Sequence, residues 1–179
     1  MQIQKYIIYK FIFKVYNRLL YIMDINAIVE IPINTGIKYE FDTNKNIIKV
    51  DRILTDNMLY PGNYGFIPNT LANDGDPLDI LILCNYPIYP NVMISCKIIG
   101  VLIMTDEKGL DEKIIAVPSD KVDSSSKVIN NIDDISETMR NNIKYFFKSY
   151  KNSSDTEWSK VNDYKDKTYA IDIINKYSK

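Results

Sequence analysis

The chain contains no histidine. That absence excludes the Ser-His-Asp and Cys-His arrangements of nucleophilic catalysis, histidine-ligated zinc and any histidine general base. Chemistry here must come from carboxylates, lysine, arginine, tyrosine, hydroxyls or metal-bound water. Cysteine is scarce as well. Only Cys84 and Cys96 are present, each within an apolar, strand-like run. Their spacing offers no zinc site, and buried free thiols fit a reducing, cytoplasmic compartment. No internal repeat or long linker divides the chain. Residues 24–179 therefore read as one domain, large enough for a sizeable core.

Residues 1–23 lack acid altogether, while Lys5, Lys10, Lys14 and Arg18 supply four cations. These interrupt the apolar leader too often for a spanning helix, so no stable membrane insertion is expected. A small-residue cleavage signal is absent too. Three readings stay open: an upstream stretch with Met23 as the true start, an organelle transit peptide, or a membrane-surface helix. The rest of the chain carries 18 basic and 23 acidic residues. An acidic body of this kind argues against general nucleic-acid binding.

The segment Asp74-Gly75-Asp76-Pro77-Leu78-Asp79 puts three carboxylates at the mouth of the apolar run Ile80-Leu81-Ile82-Leu83, which reads as a buried strand. Two like charges about 4 Å apart repel by roughly 4 kcal/mol at an effective dielectric near 20. The cluster is either an acidic turn that caps a strand or a site for a hard divalent cation with oxygen ligands.

Strands are expected over Ala27–Ile31, Ile37–Phe41, Ile47–Val50, Cys96–Met104 and Lys113–Val117. Strict alternation over Ile37–Phe41 buries Ile37, Tyr39 and Phe41 and turns Lys38 and Glu40 to the other face. Asn44-Lys45-Asn46 marks a hairpin turn, and Gly109 tips another. Ile135, Met139, Ile143, Phe146, Phe147 and Tyr150 recur at helical spacing, with Asp134 and Glu137 as a capping box. A last helix over Lys167–Tyr177 is expected to bury Tyr169, Ile173 and Ile174. Residues 120–133 and 152–165 read as polar loops. Short strands followed by helices predict an α+β fold, a mainly antiparallel barrel with helices packed outside.

The charged residues cluster at strand ends. Lys38 and Glu40 have the plain alternative of a solvated sheet face, and Asp106 to Lys113 that of a charged turn. Glu30, set between Val29 and Ile31, needs either solvent or a partner. In order and with nearly the same spacing, D-G-D-P-L-D-I, Glu30-Ile31-Pro32, Ile37-Lys38-Tyr39-Glu40, Val50-Asp51-Arg52, Tyr60-Pro61-x-Asn63-Tyr64-Gly65, Thr105-Asp106-Glu107, Asp111-x-Lys113 and Phe146-Phe147-x-x-Tyr150-Lys151 resemble the pattern of the soluble family I inorganic pyrophosphatases of bacterial type. The resemblance covers about Asp24 to Trp158.

That resemblance implies a small five-stranded, OB-like barrel with flanking C-terminal helices. It also implies hydrolysis of inorganic pyrophosphate to two phosphates by a metal-activated water, and a homo-oligomer of hexameric form. It assigns roles in turn. Asp74, Asp79 and Asp111 resemble ligands of the tightest magnesium, and Asp106 and Glu40 resemble ligands of further ions, roughly two to four Mg2+ in all. Asp76 resembles the base that takes a proton from the attacking water. Lys38, Arg52, Tyr64, Tyr150 and Lys151 resemble phosphate-binding groups, and Glu30, Tyr60, Glu107 and Lys113 resemble active-site lining. Eight acids and four bases make that set formally −4, so it would repel a polyanion until divalent ions bound. Tyr150 also lies on the apolar helical stripe, and a tyrosine can pack its ring while directing its hydroxyl into a site. The chain departs from its relatives near the end of the long helix, which has Asn142, Lys144 and Lys148 where bacterial members often carry histidines. Rival readings are a catalytically silent metal- or nucleic-acid-binding barrel and a hydrolase of organic phosphates. The acidic body weakens the nucleic-acid version, and the absence of an apolar platform for a base or sugar weakens the last.

Overall fold

Two neighbouring strands are buried on both faces, with alternate side chains entering different apolar clusters. In β5 (Asp79–Ile82), Ile80 and Ile82 enter one apolar cluster and Leu81 another; in β8 (Lys113–Pro118), Ile114 and Ala116 divide from Ile115 and Val117 in the same way. These strands run parallel, with Asp79 opposite Lys113. A computed structural model describes residues 24–42, 45–151 and 158–179. The three readings of residues 1–23 and the part of the hairpin turn at Asn44 lie outside the described residues.

The remaining strands are β1 (Ile25–Ile31), β2 (Ile37–Asp42), β3 (Ile47–Ile53), β4 (Asn63–Phe66), β6 (Met93–Asp106), β7 (Gly109–Leu110) and β9 (Ser159–Asp166). Pairings β1–β4, β4–β5, β5–β8, β8–β6 and β6–β1 close a ring of five strands, all antiparallel except β5–β8. The long β6 also carries β7 and β9, while β2 and β3 form a separate hairpin. The α+β expectation holds. Closure requires tight backbone approaches, and Gly65 permits one: a Cβ there would stand 1.9 Å from the Ile28 carbonyl oxygen.

Among the described residues, two α-helices cover the strands. Helix α1 (Glu137–Ser149) buries Ile143, Phe146 and Phe147 against the cluster that holds Leu81, Ile115 and Val117. Each such side chain contributes about 1.5–3 kcal/mol of apolar burial. Helix α2 (Lys167–Tyr177) covers the opposite cluster with Ala170, Ile173 and Tyr177. Its bounds are those expected, but Tyr169 is exposed and Ala170 takes the buried position.

Three local expectations are corrected. The N-cap of α1 is Ser136, whose hydroxyl accepts from Met139 N at 3.2 Å. Asp134 instead closes the preceding 3-10 turn, accepting from Asn130 N and Asn131 N. Of the loop expected over 152–165, residues 152–157 lie outside the described residues and 159–165 belong to β9. Its sequence, SKVNDYKD, is charged because it is an edge strand with only Val161 and Tyr164 packed inward, and charges keep such an edge from pairing further. Over β2 the alternation is blurred: Ile37, Tyr39 and Phe41 are only half-buried, because the hairpin is not hydrogen-bonded into the main sheet and meets it through side chains such as Phe41 on Phe66 at 6.1 Å.

Candidate active site

An open cleft of about 370 Å³ lies where β1, the β2–β3 hairpin, β4, β5, the β6–β8 connection and the end of α1 meet. All fifteen residues singled out in the sequence line it: Glu30, Lys38, Glu40, Arg52, Tyr60, Tyr64, Asp74, Asp76, Asp79, Asp106, Glu107, Asp111, Lys113, Tyr150 and Lys151. Asp51 and Lys108 line it too, which makes nine carboxylates and five cations and keeps the formal charge at −4.

Lys113 is the buried centre of this charge. Its ammonium donates to both Asp79 Oδ2 and Asp111 Oδ1, and only 2% of the residue is exposed. Burial works against its charge, but Asp79 and Asp111 override this and hold its pKa well above the ordinary lysine value. Asp111 itself is raised, first by burial, with Lys113 opposing. A second cation node stands at the end of α1, where Lys151 Nζ donates to Asp106 Oδ2 at 2.6 Å and Glu107 Oε1 at 3.1 Å. Burial favours a neutral Asp106, yet the hydrogen bond from Lys151 carries it below the ordinary carboxylate value.

Asp74 and Asp76 sit on an exposed turn. Gly75 between them has φ +92°, a region that L side chains avoid. Asp76 N donates to Asp74 Oδ1 at 3.1 Å, which folds the turn on itself. Partial burial and then the Asp74 charge push Asp76 above the ordinary aspartate value. Glu30 finds its partner in a backbone group, accepting from Phe41 N at 2.7 Å. Burial nevertheless raises it to about 7.

Tyr60, Tyr64 and Tyr150 form the apolar wall. Tyr60 packs on Phe146 at 4.6 Å and on Tyr64 at 5.5 Å between ring centroids, and Tyr150 stacks on Phe146 at 5.5 Å. Burial raises all three phenols above their ordinary pKa, so each stays a neutral hydroxyl donor. Tyr150 has its ring packed on Phe146, and the residue lines the cleft.

Asp51 escaped the sequence reading. Plain alternation would put it on the face opposite Arg52, but β3 carries a bulge there. Lys38 pairs with Arg52 and Tyr39 with Val50, which leaves Asp51 as the extra residue. A bulge redirects side chains in this way. Asp51 Oδ2 accepts from Lys38 Nζ at 3.0 Å and lies 3.7 Å from Arg52 Nε. Its place inside the Val50-Asp51-Arg52 motif was the available signal. Lys108 carried none, being one of two residues in the tight β6–β7 turn. Glu40 is exposed and paired with Lys49 at 3.1 Å.

Among the described residues, no three carboxylates already converge closely enough to enclose an ion. The donor set is nevertheless right in kind for a hard divalent cation, since it consists of carboxylate oxygens alone. Lys113 shows where positive charge is held: between Asp79 and Asp111.

A family model described as inorganic pyrophosphatase matches residues 27–179. The inorganic pyrophosphatase of Campylobacter jejuni is 49% identical over 152 residues, covering 85% of this chain and 88% of that protein. That of Saccharolobus solfataricus is 46% identical over 153 residues, covering 86% and 89%. The solved inorganic pyrophosphatase of Helicobacter pylori superposes with a TM-score of 0.84 at 40% identity, covering 86% of this chain and 91% of that one. With the family pattern spread over the whole described body and the same fold beneath it, this chain belongs to the inorganic pyrophosphatase family.

Proposed function

We infer that this chain is an enzyme that hydrolyses inorganic pyrophosphate to two phosphates with magnesium as cofactor. One observation carries the reading: residues drawn from strands, turns and a helix end far apart in sequence line a single cleft dense in both carboxylate and cation. Pyrophosphate is a compact polyanion. Its hydrolysis is mainly a matter of positioning and charge stabilisation, because phosphoryl transfer needs little covalent help from protein.

Asp74, Asp79 and Asp111 would hold the tightest ion, with Asp106 and Glu40 holding those that enter with substrate. Magnesium, when bound, supplies charge neutralisation and a water acidified toward neutral pH. The protein's own groups do the rest. Asp76, raised above the ordinary aspartate value, accepts the proton of the attacking water. Arg52 offers a planar fork to phosphate oxygens, Lys38 and Lys151 offer point charges, and Tyr64 and Tyr150 offer neutral hydroxyls. Glu30, Tyr60, Glu107 and Lys113 line the site and hold these groups in place.

The same reading includes a homo-oligomer, hexameric by resemblance, and a cytoplasmic location. Exposed Tyr86 and Tyr89 in the β5–β6 connection and Met93 at the start of β6 support a subunit contact. The thiols Cys84 and Cys96 are both unpaired by disulfide, which supports a reducing compartment. No helix among the described residues is long and apolar enough to cross a membrane.

The test is phosphate release from pyrophosphate and from nucleoside triphosphates, with magnesium and with chelator. Release from pyrophosphate alone, dependent on magnesium, is the expected result. Silence with magnesium present would sink the proposal, and preferential release from nucleotides would redirect it to organic phosphates.

A further inference from the structure

We propose that Tyr177, at the end of α2, is a positioning residue for the acidic turn that carries Asp74 and Asp76. It reaches that turn twice. Its carbonyl oxygen accepts from Leu71 N at 2.8 Å. Its hydroxyl accepts from Asn73 Nδ2 at 2.9 Å, across more than a hundred residues of sequence. Tyr177 is itself buried, 7% exposed, and belongs to the core cluster that also holds Leu78 and Ile80. The phenol therefore has one end fixed in the core and the other on the residue next to Asp74.

Neighbouring bonds make this a clamp rather than a single contact. Thr70 and Ser178 form an antiparallel bridge, and Lys179 N donates to Asn69 O at 2.9 Å. Buried Thr70 passes the constraint across the base of the turn, its hydroxyl donating to Ile67 O at 2.6 Å and accepting from Leu78 N at 2.9 Å. Above that base the turn is closed by Ala72 N to Asp76 O at 2.8 Å and Gly75 N to Ala72 O at 3.1 Å. Lys176 Nζ donates to the same phenol at 3.0 Å and lies 4.5 Å from its ring centroid, which fixes the hydroxyl from the other side.

The turn needs such support. Asp74, Gly75 and Asp76 are exposed, Gly75 has the widest backbone freedom, and like charges at Asp74 and Asp76 push apart. A binding constellation is productive only when its carboxylates are held to within a fraction of an ångström by neighbours that do not touch the ligand. This inference rests on the reading of Asp74 and Asp79 as metal ligands given above.

The experiment uses the full chain and three variants, Tyr177→Phe, Asn73→Ala and the double substitution. Tyr177→Phe keeps the ring, the packing and the carbonyl bond, so folding is retained. Two readouts are taken without turnover: amide hydrogen exchange of residues 72–76 in metal-free protein, and magnesium binding by calorimetry without substrate. Each single variant is expected to speed exchange at Ala72, Gly75 and Asp76 about fivefold and to weaken magnesium binding about fivefold, the worth of one hydrogen bond. The double variant should be no worse than either single one, because both remove the same bond. Excess magnesium should recover turnover. Exchange and affinity within twofold of the parent, or losses that add in the double variant, would overturn the proposal. Asp74→Asn separates the two readings. If it weakens magnesium binding while Tyr177→Phe does not, the clamp alone fails. If it binds magnesium as the parent does, the ligand reading fails and the clamp's metal-positioning role with it.

Discussion

Asp79 and Lys113 stand opposite each other on adjacent parallel strands, and the lysine ammonium is hydrogen-bonded to the aspartate. The same ammonium reaches Asp111. One buried cation thus holds together two carboxylates that lie far apart in sequence, at the floor of the cleft.

Replacing that cation tests what the site wants in its place. Lys113→Met leaves Asp79 and Asp111 facing each other without a counter-charge. Removing one partner of a buried ion pair costs about 3–5 kcal/mol, so denaturant unfolding in chelator should show a loss of that order. Magnesium should restore much of it, because a divalent ion supplies the missing charge. An equal loss with and without magnesium would refute the idea that metal and ammonium answer to the same carboxylates.

Asp76→Asn separates chemistry from binding. The amide keeps the turn's shape and cannot take a proton. Turnover is expected to fall by about 10²–10⁴, while magnesium affinity measured without substrate changes little. Turnover near that of the parent would remove Asp76 from the role of base.

Tyr150→Phe and Tyr150→Ala divide packing from hydrogen bonding. The phenylalanine variant keeps the stack on Phe146 and the edge contact at 5.6 Å with Phe147. Its stability should stay within about 1 kcal/mol of the parent, while its KM for pyrophosphate rises. The alanine variant opens a cavity and should cost about 3–5 kcal/mol. A phenylalanine variant with unaltered kinetics would confine Tyr150 to the core.

Glu30 gives the metal-free protein a pH signature of definite sign. Its carboxyl is raised from 4.5 to about 7, chiefly by burial, with Asp79 and Glu40 reinforcing and Phe41 N and Lys38 opposing. A carboxyl raised on folding binds its proton more tightly in the native state. Its contribution is therefore fully present below about 4.5 and is lost as pH rises through about 7, with a slope of at most about 1.4 kcal/mol per pH unit. Urea unfolding in chelator should show this decline, and Glu30→Gln should flatten it. The same decline in the glutamine variant would assign the slope to another group.

The fold was most legible where apolar periodicity was strong. The bounds of α2 were readable to the residue, and the strands around Ile80, Ile98 and Ile114 were readable within a few residues. β9 was not, since an edge strand packed by Val161 and Tyr164 alone leaves almost no apolar pattern. The cap of α1 was misread because Asp134 and Ser136 are both good N-cap residues, and only the backbone path through the 3-10 turn at Ile132–Asp134 chooses between them. Hydrophobic bulk points Tyr169 toward the buried face, whereas the packing of α2 on β6 puts Ala170 there.

Composition and local spacing set the chemical kind of this protein. Without histidine, and with three carboxylates in six residues, it could work only through oxygen ligands, cations and hydroxyls. Its motifs singled out fifteen residues, all of which line one cleft. Tertiary structure decided their relations. The bulge in β3 turned Asp51 toward Lys38, parallel pairing set Asp79 beside Lys113, and the end of α2 took hold of the turn before Asp74. The physical reason is range. Side-chain type and local spacing are written in neighbouring residues, whereas a hydrogen bond from Asn73 to Tyr177 exists only after the core has brought the two elements together.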